Sequence, residues 1–152
     1  RSIVEAAALE FEVDFEPYGS VTCRRKDLAK GLESDECYYI RNADKVRDRS
    51  LEEEFDFSKE PPPDLAIEID ISKSLLSREK IYAALGVPEL WRCDGESVRV
   101  FVLKKGVYQE SLSSPSFPRL LISELGKQLK RPAGMSHVQW LKSFQKWVRG
   151  LE

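Results

Sequence analysis

The sequence predicts an α/β protein, with a mixed central β-sheet flanked by helices and a single domain over residues 1–152. The first observation behind this is the stretch Pro61-Pro62-Pro63-Asp64-Leu65-Ala66-Ile67-Glu68-Ile69-Asp70-Ile71-Ser72. Its prolines hold the chain extended, and the residues after them alternate with the side-chain period of a β-strand. The second is the strand-helix-strand pattern from Asp64 to Cys93, which suits a right-handed crossover between parallel neighbours. The third is the alternating meander that follows, which calls for antiparallel partners.

Taken in order, Ser2 to Glu12 reads as a helix, with Val4, Ala7, Ala8 and Phe11 on its buried stripe. Val13 to Tyr18 alternates briefly, Gly19-Ser20 turns, and Val21 to Arg24 is a short strand. Arg25 to Ser34 reads as a polar loop, and Asp35 to Ile40 as a strand rich in aromatics that opens on an acid. The charged stretch from Arg41 to Glu60 predicts a short helical turn and a surface loop. The proline-led strand runs from Leu65 to Ile71, and a helix spans Ser77 to Leu85 before Gly86 and Pro88 stop it. Tyr82 on that helix and Trp91 on the next strand read as core. Glu89 to Cys93 and Ser97 to Lys104 are strands joined at Asp94-Gly95, and Lys105-Gly106 folds Val107 to Glu110 back as a hairpin. Leu120 to Leu129 and Ser136 to Val148 are amphipathic helices, the last carrying Trp140, Leu141, Phe144 and Trp147 on its apolar side.

Composition narrows the class. A chain of 152 residues, 41% hydrophobic and 33% charged, can bury a sizeable core as a globular domain. The formal charge of −2 gives no overall basic surface, so any phosphate contact rests on local patches. Such clusters stand at Arg24-Arg25-Lys26, Lys104-Lys105, Lys127/Lys130/Arg131 and Lys142/Lys146/Arg149, and each reads first as a solvated face. Cys23, Cys37 and Cys93 are odd in number and widely spaced, which points to a reducing, cytoplasmic setting rather than a disulfide framework or a zinc site. No apolar run reaches the length of a membrane span. The chain opens at Arg1 and not at methionine, so a truncated N-terminus is expected. The single histidine, His137, lies far from the acidic strand, which argues against histidine-rich metal sites and a Ser-His-Asp triad. Chemistry, where present, falls to carboxylates.

The proline-led strand sends Leu65, Ile67, Ile69 and Ile71 to one face and Asp64, Ala66, Glu68 and Asp70 to the other. Ile67 and Ile69 are expected to be buried against a helix. Glu68 and Asp70 stand about 6.6 Å apart along the strand, and two such acids repel unless a cation or a shared proton relieves them. The opposite face is either a solvated outer surface or a cation site. Asp64 and Glu68, about 13 Å apart, do not easily share an ion, so the natural further ligand is an acid from a neighbouring strand, with Asp35 the best candidate.

Three blocks then carry a family resemblance: Gly31-Leu32-Glu33-Ser34-Asp35-Glu36-Cys37-Tyr38-Tyr39-Ile40, Pro63 through Ser72, and Ile81-Tyr82-Ala83-Ala84-Leu85-Gly86-Val87-Pro88-Glu89-Leu90-Trp91. In this order they resemble the Uma-type family of restriction-endonuclease-like proteins in the PD-(D/E)XK nuclease superfamily. The resemblance implies a mixed sheet between helices and Mg²⁺- or Mn²⁺-dependent hydrolysis of DNA phosphodiesters. It also implies a metal held by Asp35, Glu68 and Asp70, and a homodimer, to which the aromatic surface of the last helix also points. Two departures stand out: Ser34 replaces the motif proline, and Asp70 occupies the place of the E-x-K lysine. The resemblance implies that this cation migrates to the next helix, at Arg78, with Lys80 two residues on and Lys73 in the connecting loop. Arginine clamps a phosphate but does not act as a base at neutral pH, and Arg78 and Lys80 lie about 200° apart around a helix. The competing reading is a degenerate nuclease-like scaffold that binds DNA or a protein partner. Ser77-Arg78-Glu79-Lys80 also spells S-x-x-K, but without its companion motifs that match is chance.

Overall fold

The computed structural model describes residues 1–20, 22–49, 55–69 and 76–151. In chain order the elements are α1 (Ser2–Glu10), β1 (Glu16–Pro17), β2 (Thr22–Arg25), β3 (Lys30–Glu33), β4 (Glu36–Tyr39), α2 (Ala43–Val46), β5 (Phe55–Asp56), β6 (Leu65–Ile69), α3 (Leu76–Leu85), β7 (Glu89–Cys93), β8 (Val98–Lys104), β9 (Val107–Ser111), α4 (Ile122–Leu129) and α5 (His137–Arg149). Among the described residues six strands form a mixed sheet in the order β1-β4-β6-β7-β8-β9. The expected crossover is present: β6 and β7 run parallel through α3, with Glu68 paired to Arg92, and every other pairing in this sheet is antiparallel. A smaller sheet of order β3-β2-β5 packs beside it.

The large sheet separates two cores. Leu65, Ile67, Trp91, Val98 and Val100 face α1, α4 and α5, which contribute Val4, Ala7, Leu125, Phe144 and Val148. Ala66, Leu90 and Phe101 face the opposite way, toward Tyr82 and Leu85 of α3 and toward Cys23 and Phe55 of the small sheet. Leu65 and Ile67, almost wholly removed from water, each contribute up to about 1.5–3 kcal/mol of hydrophobic stabilisation.

Local signals explain the boundaries. Gly86 ends α3 at φ +80°, where a side chain would strain the backbone. Lys105 and Gly106 both have positive φ, as the tight β8–β9 hairpin requires. Ser136 caps α5 through a reciprocal pair of bonds with Gln139. At Gly126 a Cβ would stand 2.3 Å from the Glu96 carbonyl, so only glycine lets α4 approach the β7–β8 turn.

Four expectations need correction. Residues 25–34 are not a loop: a 3₁₀ turn and β3 make them a hairpin, closed by Ala29 in the left-handed region at φ 50°. The 41–60 stretch is not all surface, because Phe55 and Phe57 are buried in the second core. The central strand is covered on both faces, with Ala66 and Glu68 as buried as Leu65 and Ile67. Ile69, expected inside, is 57% exposed, since the strand emerges from under its helices at its C-terminal end. The aromatic row of α5 is absorbed within the chain: Phe144 is buried, Trp140 and Trp147 pack on the first core, and the Trp140 indole donates to the Gln128 carbonyl at 2.9 Å. That removes one motive for a dimer.

Candidate functional site

Two of the acids predicted to act, Asp35 and Glu68, lie at the C-terminal end of β6. Antiparallel pairing sets Glu36 against Ile67, and Asp35 stands in the bend just before β4, beside the Glu68–Ile69 step. Asp35 is exposed, and its Oδ2 accepts the Ile69 N–H at 2.7 Å, which ties the start of β4 to the residue after Glu68. Glu68 is only 4% exposed. A carboxylate that deep needs compensation, and α3 supplies it. Arg78 Nη2 donates to Glu68 Oε1 at 2.7 Å, and the Tyr82 hydroxyl donates to the same oxygen. Arg78 and Tyr82 are four residues apart, one helical turn, so α3 presents both along one stripe.

Arg78 is fixed from a second side, since its Nη2 also donates to the Glu33 carbonyl at 2.6 Å. Next to it, Glu79 pairs with Arg92 at 2.8 Å, and Arg92 is the β7 residue in register with Glu68. Glu68, Arg78, Glu79, Tyr82, Leu90 and Arg92 close on one another without a water-sized space between them. The electrostatics follow. The hydrogen bond to Glu68 holds the Arg78 guanidinium proton even more firmly than usual. Burial, followed by the bond to Glu68, pushes the Tyr82 phenol far up, so it stays a donor.

Of the two helical cations, Arg78 meets the acid. Lys80 is exposed and lines a different cavity with Ala83, Val107 and Tyr108. Asp70 and Lys73 lie outside the described residues. Among the described residues no group of three or more His, Cys, Asp or Glu side chains gathers as a metal site. Mg²⁺ keeps several waters and takes one or two protein carboxylates plus substrate oxygens, and Asp35 and Glu68 are the described candidate acids at this end of β6. What the sequence reading missed is Tyr82, assigned to the core. It is in the core, and its hydroxyl also holds Glu68. The i, i+4 spacing from Arg78 is the signal that pointed there. Asp64 behaves as a strand-start acid, its Oδ2 accepting the Ile40 and Asn42 N–H groups.

Residues 8–133 match the Uma2 family, described as "Putative restriction endonuclease". The chain belongs to that family. No curated protein matches it. No helix among the described residues is long and apolar enough to cross a membrane.

Proposed function

We propose that this member of the Uma2 family is a nuclease that hydrolyses DNA phosphodiesters with a divalent cation, Mg²⁺ or Mn²⁺. The observation that carries the reading is the meeting of Asp35, Glu68 and Arg78 at one end of β6. Asp35 and Glu68, joined by Asp70, would hold the cation. When bound, it supplies Lewis acidity toward the phosphate and a water of lowered pKa. Arg78 serves as the positive group over the phosphate. Its Nε is a buried donor without a partner among the described residues. Tyr82 keeps Glu68 oriented and pinned to the helix. The overall reaction adds water across a P–O ester bond, leaving a phosphate monoester and an alcohol.

A second reading has one observation in its favour: Arg78 and Tyr82 already compensate Glu68, so the acid is stable without a metal. On that reading the scaffold only binds. Incubation with supercoiled and linear DNA and Mn²⁺, beside a Glu68→Gln control, separates the two. Cleavage by the parent alone supports the nuclease, and no cleavage by either leaves the binding module. A homodimer would place two sites on opposite strands, and light scattering of the DNA-bound protein measures it.

A further inference from the structure

The β2–β3 hairpin carries charge out of proportion to the chain. Arg24, Arg25, Lys26 and Lys30 line one open cavity of about 630 Å³, with Glu33 the only acid among its described lining residues, on a protein whose formal charge is −2. The cations are collected by register: Arg24 pairs with Gly31 and Arg25 with Lys30. Glycine at position 31 matters here, because a Cβ would stand 2.9 Å from the Arg24 Cγ, so its absence lets the Arg24 side chain lie across the neighbouring strand. Arg25 is partly spent on Asp27, at 2.5 Å, whereas Lys26 and Lys30 are exposed at the tip. The groove also joins the acidic site. Its wall residue Glu33 accepts through its carbonyl from the same Arg78 Nη2 that bonds Glu68.

We infer that this hairpin is a docking surface for the phosphate backbone of duplex DNA, which it holds across the Glu68 end of β6. A row of cations with no aromatic lining suits a backbone contact. A single-strand platform stacks bases on Phe, Tyr or Trp, and none is among the described residues that line this groove. The identity of the polyanion rests on the nuclease reading, but the surface is independent of catalysis.

The test reads binding without cleavage, as fluorescence anisotropy of a labelled duplex in EDTA across a salt series. Variants are the Lys26→Ala/Lys30→Ala pair and, as control, Lys142→Ala/Lys146→Ala on α5, which packs on the other face of the sheet. The hairpin pair is expected to weaken binding at least tenfold at low salt and to reduce the slope of log affinity against log salt by about two, near 0.9 per lost phosphate contact. The α5 pair is expected to stay within twofold. Equal loss in both pairs, no loss in the hairpin pair, no duplex binding by the parent, or tighter binding of a single strand than of the duplex overturns the inference. A parent that binds through Lys26 and Lys30 yet never cleaves with Mg²⁺ or Mn²⁺ retains this surface and loses the nuclease. A parent that cleaves while the hairpin pair binds normally does the reverse.

Discussion

Glu68 and Glu89 are two buried carboxylates on neighbouring parallel strands, at opposite ends of the sheet. Glu89, at the start of β7, is 1% exposed. Its Oε1 accepts from the Trp91 indole and the Ser114 hydroxyl, each at 2.6 Å, and its Oε2 from the Ser116 N–H at 2.9 Å and hydroxyl at 2.6 Å. Every one of those donors is neutral, and together they pin the segment that leaves β9 to the sheet. Glu68, at the end of β6, shares one oxygen between a guanidinium and a phenol on a single helix. Burial is the same in both, so burial does not mark a site. The partners do: a carboxylate saturated by neutral donors is architecture, and one held by a charge of opposite sign at the C-terminal end of a central strand is the candidate for a site.

The comparison breaks first at Glu68. Glu68→Gln keeps an acceptor for Arg78 and Tyr82, so the melting temperature is expected to hold within a few degrees. Metal-dependent cleavage is expected to fall about 10³-fold or more, since the charge proposed to hold the cation is gone. Retained cleavage would make Glu68 as structural as Glu89. Arg78→Ala is next, with an expected loss of about 10² in cleavage, while Lys80→Ala stays within twofold because Lys80 lines another cavity. Gel assays at matched protein and Mn²⁺ concentrations read both, and equal losses would remove the distinction between the two cations.

Glu89→Ala tests the other side. It strands the buried Trp91 indole and Ser114 hydroxyl, each costing about 1–3 kcal/mol, while the half-buried Ser116 groups can turn to water. We expect a loss of about 3 kcal/mol in urea unfolding and unchanged cleavage per folded molecule. Loss of activity in a protein that remains folded would mean that the two ends of the sheet are coupled.

The sequence revealed one of these carboxylates and not the other, for physical reasons. Glu68 lies in an alternating strand after prolines, where period two and the spacing to Asp70 raise the question of a cation. Glu89 precedes a Leu-Trp pair, and its donors at positions 114 and 116 come from a serine-proline break with no local pattern to announce them. The crossover and the β8–β9 hairpin were legible because turn glycines and alternation are local signals. The 25–34 hairpin was not, because its strands are short and charged, and the closing residue is Ala29 rather than a glycine. Ile69 was misread as buried because alternation gives the face of a strand but not where its cover ends.

The finest distinction concerns the phenol on Glu68. Tyr82→Phe keeps the ring in the second core and leaves Arg78 on the carboxylate, so cleavage at neutral pH is expected to fall by less than tenfold and stability by about 1–2 kcal/mol. The stronger signature is alkaline. Burial and then Glu68 raise the Tyr82 phenol above its unfolded value of about 10. The folded protein therefore binds that proton more tightly than the unfolded chain does. Its contribution is intact below pH 10 and is lost as pH rises beyond it, at about 1.4 kcal/mol per pH unit. Tyr38, Tyr39 and Tyr108 are also raised by burial and add to the slope in parent and variant alike. Urea unfolding at pH 9, 10 and 11 should thus show a shallower alkaline decline in Tyr82→Phe, by close to one proton. Parallel slopes would mean that the Tyr82 hydroxyl ionises freely in the folded protein and does not hold Glu68.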